Sequence, residues 1–286
     1  SCAGKHAAPL AVASRAARMA LHPESPTDFD LLPGVLAERA GPVATGGRRS
    51  GATGLPRSAR LGALALAAAA LACDPYVQGN GVYLEVQRTP GPFAGVHVDD
   101  GVAVTATAAA ATGYAVVVSG DANMLDYVRT EVQPVEIRGT WVDVLHVWVD
   151  EPSGGVGPTI PIRAAVRMDA LRYAAAIRAA RIEARDVAVA DLDVEASGGA
   201  DLEVKGPGGA TLHATVADAT ADLGSWAVTT YADVMASGRS HVEVAATGTL
   251  TGEAHDTSVV QNLALATTCD LQAFPPATVS CGPTPP

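Results

Sequence analysis

Asp193–Val204 reads DVEASGGADLEV, and Asp233–Val244 reads DVMASGRSHVEV. The two stretches agree at seven of twelve positions. Leu212–Leu223 (LHATVADATADL) and Thr251–Val259 (TGEAHDTSV) read as degenerate copies, so the repeating unit is about 20 residues long. Each unit contains an apolar strand and a second short strand joined by a bend. Self-similarity at this period is typical of a solenoid, whose coils bury their apolar faces against their neighbours.

Strand periodicity extends upstream of the repeat. From Val82 onward the apolar residues fall mostly at every second position, and Gly- and Pro-containing turn signals separate the runs. Arg163–Asp186 (RAAVRMDALRYAAAIRAARIEARD) is rich in Ala, which favours a helix by local propensity. Its Ile177 and Ile182 nevertheless stand one unit before Val194 and Leu202, which favours strands. We therefore predict an all-β solenoid over residues 82–265, with this stretch as its first coils.

The N-terminal part of the chain carries an address signal. Leu55–Cys73 reads LPRSARLGALALAAAALAC, with a short positive region, an uncharged Ala/Leu region and small residues before the cysteine. This tripartite pattern predicts a signal peptide over residues 55–72. Its apolar run is about half the roughly 20 residues that a transmembrane helix needs. Residues 1–54 lack hydrophobic periodicity, and we interpret them as an over-extended reading frame or a disordered leader.

Two processing routes are open at Cys73. The residues before it resemble a bacterial lipobox, although Ala70 stands where Leu is preferred, and the same Ala-x-Ala would satisfy ordinary signal peptidase. Cleavage leaves an odd number of cysteines, so lipidation of Cys73 would leave Cys269 and Cys281 to pair in an oxidising compartment. We predict a lipidated Cys73, a tether over 73–81, and a disulfide in a Pro-rich cap over 266–286. The protein is then exported and anchored in the bacterial cell envelope through its lipid.

Charge and composition exclude one class of partner. Residues 73–286 carry 11 basic and 26 acidic side chains, a net charge of −15. A domain this acidic repels nucleic acid, so we predict no nucleic-acid partner.

Only 4% of the residues are aromatic, so the core must consist of Ala, Val, Leu and Ile, which suit closely stacked strands.

Two sets of side chains could in principle carry chemistry. Stacked carboxylates could bind Ca²⁺ or hydrolyse a polysaccharide, and the candidates are Asp201, Asp218, Asp222, Asp233 and Glu243. Stacked imidazoles could bind Zn²⁺, and the candidates are His213, His241 and His255. Like charges one strand apart repel, and the three histidines occupy different places in the repeat. We therefore predict separate surface positions, with no catalytic residue, metal site or cofactor.

The repeat and one upstream segment resemble a known family. Gly120–Val132 (GDANMLDYVRTEV), Ala196-Ser197-Gly198 and Ala236-Ser237-Gly238 are similar to motifs of the auto-transporter adhesin head (GIN) domain, a domain of unknown function in exported bacterial proteins. The resemblance covers roughly residues 93–262 and implies a right-handed parallel β-solenoid behind a signal peptide or lipobox. The coils at Leu212 and Thr251 depart from it by lacking Ser-Gly. The family has no established enzymatic mechanism, so it implies no functional residue.

These observations predict a non-enzymatic binding, adhesion or scaffold module. Its expected partners are an envelope glycan, peptidoglycan or a surface protein. The alternative is a carbohydrate-active β-helix enzyme acting on a polysaccharide, which requires a cleft with paired carboxylates.

Overall fold

The computed structural model describes residues 76–109, 113–152 and 154–282. The predicted leader, signal peptide and lipidation site therefore lie outside the described residues. Within those ranges the regular structure is entirely β. In chain order the strands are β1 (Val77–Gln78), β2 (Tyr83–Arg88), β3 (Gly95–Val98), β4 (Ala103–Ala108), β5 (Ala115–Asp121), β6 (Val128–Ile137), β7 (Thr140–Val149), β8 (Val156–Gly157), β9 (Arg163–Met168), β10 (Tyr173–Ile177), β11 (Arg181–Arg185), β12 (Asp191–Ser197), β13 (Asp201–Ala217), β14 (Thr220–Ser237), β15 (His241–Ala246), β16 (Thr249–Ala254), β17 (Val259–Asn262), β18 (Thr268–Ala273) and β19 (Thr278–Ser280).

The predicted solenoid is confirmed. Successive coils pair in parallel, with Asp191 beside Thr211, Thr211 beside Tyr231, Tyr231 beside Thr249, and Thr249 beside Thr268. The spacing of these register partners along the chain matches the period of the sequence repeat. Arg163–Asp186 contains β9, β10 and β11, so the strand interpretation of that Ala-rich stretch is correct. In the described part of the chain, no helix is long and apolar enough to cross a bilayer.

Each coil has two strand-bearing sides. Side 1 contains β11, the first part of β13, β15, β17 and β19; side 2 contains β10, β12, the last part of β13, β16 and β18. The long strands β13 and β14 pass through both sides. The two sides of the coils therefore belong to one continuous sheet and share one interior.

The interior is made of aligned aliphatic side chains. On side 2, Leu192, Leu212, Ala232 and Leu250 occupy the same register on four successive coils, and each is fully buried. Alternate residues point inward because successive side chains of a strand face opposite ways. Trp226 is the largest fully buried side chain of the described residues, and its indole nitrogen donates to the Val187 carbonyl oxygen at 3.0 Å.

The bends between the two sides require a left-handed backbone. Gly198 and Gly238 have φ values of 66° and 68°, as the Ser-Gly motif predicts. The coils that lack Ser-Gly place Asp218 and Asp256 at the equivalent bend, with φ values of 52° and 58°. Asp tolerates this conformation better than most residues, so the bends stay regular without the motif.

One end of the solenoid departs from purely parallel pairing. β2 pairs antiparallel with β5, β5 with β9, and β6 with β7. In addition, β4 lies between β9 and β11, and β3 lies between β7 and β10. The antiparallel strands β5 and β6 thus pair with the edges of β9 and β7, the outermost parallel strands at this end, and pairing of an edge strand is a known protection against aggregation.

The start of the described chain is fastened to this end. β1 pairs with β8, and the fully buried carboxylate of Asp121 accepts hydrogen bonds from the backbone N–H groups of Gly81, Thr159 and Ile160. Burial opposes the charged form of Asp121, but these three donors hold its pKa below the usual value.

Candidate functional site

The β6–β7 hairpin is the element that breaks the repetitive surface. Its strands pair from Val128–Val149 to Ile137–Thr140, and Arg138 and Gly139 form the two-residue turn with φ values of 51° and 80°. Two consecutive positive φ values characterise the hairpin turn that matches the natural twist of paired strands. The hairpin is thus a defined β-structure up to its tip.

The inner face of this hairpin packs on the outer surface of side 2. Val144, Tyr173 and Ala175 are buried in a small cluster separate from the main core. Val135, Ile137 and Val142 pack against that cluster from the hairpin. Because Tyr173 and Ala175 alternate with the core residues Ala174 and Ala176, they belong to the outer surface of the solenoid. The distal half of the hairpin therefore lies over the outer surface of side 2, while Val144–Val147 of β7 pair with β3 in the sheet.

Two adjoining cavities lie beside this contact, between the hairpin tip and the solenoid surface. We call them together the hairpin groove. The larger has a volume of about 690 Å³ and the smaller about 270 Å³. Both are lined by Ile137, Arg138, Asp193 and His213, so these four residues mark the boundary between them. A concave site of about 300–1,000 Å³ with apolar walls and a few polar groups is typical of ligand sites.

The boundary between the cavities is polar. Arg138 Nη1 lies 3.9 Å from Asp193 Oδ1. Burial raises the pKa of Asp193, and the carboxylates of Asp191 and Glu195 raise it further, while Arg138 lowers it. The Asp193 carboxylate is thus short of positive partners.

Other groups of the groove are already engaged with each other. The Tyr173 hydroxyl donates to Glu195 Oε2 at 3.1 Å; burial and this carboxylate raise the pKa of the phenol. The Thr211 hydroxyl donates to the Asp191 carboxylate. His213 Nδ1 is buried without a hydrogen bond, 3.8 Å from Asp233 Oδ2.

The candidate histidines do not converge. His213 lines the groove, His241 contacts Glu243 at 3.1 Å on side 1, and His255 contacts Glu253 at 2.9 Å near the next bend. No group of three or more His, Cys, Asp or Glu side chains within 76–109, 113–152 and 154–282 is arranged to hold a metal ion.

The candidate carboxylates stack only in part. Asp222 and Glu243 are register partners on side 1, whereas Asp201 aligns with Thr220, Asp218 lies beside Ser237, and Asp233 aligns with His213.

Sequence reasoning missed two members of the side 1 row. Glu183 aligns with Glu203, and Glu203 with Asp222. The signal was present, since Glu183 and Glu203 are separated by one coil period in the sequence.

Cations accompany that carboxylate row. Lys205 Nζ lies 2.5 Å from Glu203 and 3.5 Å from Glu183, and Arg185 contacts Glu183 at 2.7 Å. Hydrogen bonds from Arg185 and Lys205 lower the pKa of Glu183 against a burial effect. Lys205 and Arg185 therefore offset the charges of Glu183 and Glu203, the first two carboxylates of this row.

Sequence reasoning also missed a pair of stacked imidazoles. His97 and His146 are register partners on neighbouring coils, with ring centroids 4.8 Å apart. Burial lowers the pKa of both, and the His97 charge lowers that of His146 further. Their separation along the chain is no multiple of the repeat, so the pairing has no sequence signal.

The predicted Cys269–Cys281 disulfide is present, with a Cα–Cα distance of 5.9 Å. It joins β18 of the last coil to the residue that follows β19. Cys73 lies outside the described residues, so its lipidation remains a prediction.

Comparison with known proteins places the fold. No family model matches the chain, so membership of the GIN family remains a prediction, and no curated protein matches its sequence. Solved structures do match. A "putative adhesin" from Bacteroides fragilis has a TM-score of 0.52 at 10% identity over 73% of this chain and 100% of its own. A "putative adhesin" from Parabacteroides merdae has a TM-score of 0.44 at 15% identity over 74% and 100%, respectively. At these identities the first structure shows a common fold, and the second supports no further argument.

Proposed function

We propose that the protein is an exported, envelope-anchored, non-enzymatic binding module that holds its ligand in the hairpin groove. The observation that carries the proposal is the hairpin itself. Within the described residues, the hairpin departs from the repetitive solenoid surface, and its tip and that surface together line an open cavity of about 690 Å³ with charged and apolar residues. Binding of this kind serves adhesion or scaffolding at the cell envelope.

The disulfide supports the exported location. Disulfides form and persist in oxidising compartments and are rare in reducing ones, and Cys269 and Cys281 are bonded. The signal-like segment before Cys73 points to the same compartment. A lipid on Cys73 would place the described domain, which begins at residue 76, next to the membrane surface.

The fold supports an adhesive rather than a catalytic module. The Bacteroides fragilis structure with the same fold is named a "putative adhesin". In the groove, the carboxylates of Glu195 and Asp191 are engaged by Tyr173 and Thr211 of the protein itself. Each of these two carboxylates therefore already has a hydrogen-bond donor within the protein.

Co-sedimentation with insoluble envelope material of the producing bacterium tests the proposal. Ile137→Glu places a charge in the apolar contact that holds the hairpin down, and Trp141→Glu is the matched control. Trp141 stands on the opposite face of the same hairpin and is 67% exposed. We expect the purified wild type and the Trp141 variant to sediment with the envelope, and the Ile137 variant to bind about tenfold more weakly.

Two results would contradict the proposal. One is equal sedimentation of all three proteins, or of none, while thermal melting shows that each is folded. The other is hydrolysis of a polysaccharide by the purified protein, abolished by Asp193→Asn or Asp233→Asn, which would favour the carbohydrate-active alternative.

A further inference from the structure

We propose that the larger cavity of the hairpin groove takes a short peptide segment that carries both a free carboxylate and a free ammonium group. This inference rests on the proposed function and names the chemistry of its ligand. It follows from the side chains of opposite charge that line the cavity, from the apolar residues that line it with them, and from the residue types that the cavity lacks.

The lining of the cavity offers an uncommitted cation. Arg172 lines the cavity and is exposed, and its guanidinium makes no hydrogen bond or ion pair with any described residue. Arg138, also exposed, lines the same cavity from the hairpin tip, 3.9 Å from Asp193. A guanidinium matches a carboxylate with two parallel hydrogen bonds, so Arg172 can bind a ligand carboxylate.

The lining also offers carboxylates. Asp191 and Asp193 line the cavity two residues apart on β12, on the same face of the strand. Among the described residues, the side chain of Asp193 has only the Arg138 contact of 3.9 Å, and its pKa is raised by burial and by neighbouring carboxylates. A ligand ammonium would relieve this repulsion, because an opposite charge nearby favours the ionised carboxylate.

The uncharged residues that line the cavity fit a peptide better than a sugar. Ile137, Val142 and Val189 provide apolar contact, and the hydroxyls of Thr140 and Thr211 can pair with backbone amides. Within the described residues, no Trp, Tyr or Phe lines the larger cavity, so a sugar ring would find no aromatic face to pack on. The balance of Arg and Asp also disfavours a polyanion.

The experiment uses the tripeptide Ala-Val-Ala in three forms: with both ends free, N-acetylated, and C-amidated. Binding to the full-length protein is measured by isothermal titration calorimetry at low ionic strength, where charge contacts are least screened. We expect the free peptide to bind about tenfold more tightly than either blocked form, which corresponds to one charge-assisted contact at each end.

Charge-removing variants then assign each terminus of the peptide to the side chain that binds it. Arg172→Gln should weaken the free and acetylated peptides about tenfold and leave the amidated peptide unchanged. Asp193→Asn should weaken the free and amidated peptides and leave the acetylated one unchanged. Glu203→Gln, on side 1 away from the groove, should change none of them.

Failure of this inference is distinguishable from failure of the proposed function. Equal affinity for the three peptides, or no binding of any, overturns the zwitterionic ligand. If the Ile137→Glu variant still loses envelope binding in that case, the groove remains the binding site and only its ligand chemistry is wrong.

Discussion

Arg138 at the tip of the β6–β7 hairpin lies 3.9 Å from Asp193 on the solenoid surface. The two side chains belong to elements that are distant in the chain, and they meet because the hairpin folds back over side 2. Their side chains are 50% and 23% exposed, so the contact contributes little to folding stability. The contact lies at the boundary between the two cavities of the hairpin groove.

We expect that the Arg138–Asp193 contact can be removed without unfolding the protein. Arg138→Gln should change the free energy of unfolding by less than about 1 kcal/mol, as for other exposed ion pairs. Hydrogen exchange should become faster in residues 135–142, because the hairpin tip loses one of its attachments. Unchanged exchange there would mean that the apolar contacts alone fix the tip.

Substitution of a bend glycine should lower the free energy of unfolding more than substitution of an exposed polar side chain. Gly238→Val forces a β-branched residue into φ of 68°, and its Cβ would lie 2.3 Å from Asp218 Oδ1. We expect a loss of about 1–3 kcal/mol in urea unfolding. Asp201→Asn weakens only an exposed 3.5 Å contact with Arg181, so it should stay within about 0.5 kcal/mol. The reverse order of sensitivity would be inconsistent with this role of the bends.

Trp226 should be the most costly core position to truncate. Its ring is fully buried, it donates a hydrogen bond to Val187, and Gly209 makes room for it, since a Cβ there would lie 2.6 Å from the ring. We expect Trp226→Ala to lose about 3–5 kcal/mol. Leu250→Ala, at a fully buried aliphatic position, should lose about 2–5 kcal/mol, and the two losses can be compared by chemical denaturation.

The stacked His97 and His146 predict a dependence of stability on pH. Both have a lowered pKa in the folded state, so below pH of about 6.5 the unfolded chain binds more protons than the folded one. Stability from this pair is therefore present above that pH and is lost as the pH falls towards the folded values. Replacing both residues by Gln should flatten the unfolding free energy between about pH 7 and 5.5, relative to wild type, and an unchanged slope would exclude the pair as its source.

The lipid anchor is tested at Cys73. We expect metabolic labelling with a fatty-acid analogue to mark the wild-type protein and to fail on Cys73→Ser. Wild-type protein that takes up no label and is recovered in the soluble periplasm would instead indicate ordinary signal peptidase processing.

Much of the fold could be predicted because it is a local and periodic property. The sequence repeat and the Ser-Gly bends at Gly198 and Gly238 specify coil length and corner positions directly. The strand assignment of Arg163–Asp186 is correct although Ala favours a helix, because packing on neighbours overrides a weak local preference. Its predicted register is correct for Ile182, which aligns with Leu202, and wrong for Ile177, which aligns with Ser197 rather than Val194.

The groove could not be predicted because it depends on a single tertiary event. The apolar residues Val135, Ile137 and Val142 show the alternation found in any strand. Arg138-Gly139, which stands between two such runs, indicates a hairpin and nothing about its packing. Nothing in that pattern specifies that the hairpin packs on Tyr173 and the outer surface of the solenoid. The stacked histidines were missed for the same reason, since β3 and β7 become neighbours only when the chain order of the coils is known.

Ligand binding in the hairpin groove is tested most directly by hydrogen exchange of the protein with and without bound envelope material, read out by mass spectrometry. We expect protection on binding to concentrate in residues 135–142 of the hairpin and in residues 189–193 and 211–213 of the solenoid surface beneath it. Protection confined to the row of Glu183, Glu203 and Glu243 on side 1, or binding without protection of the hairpin, would contradict this expectation.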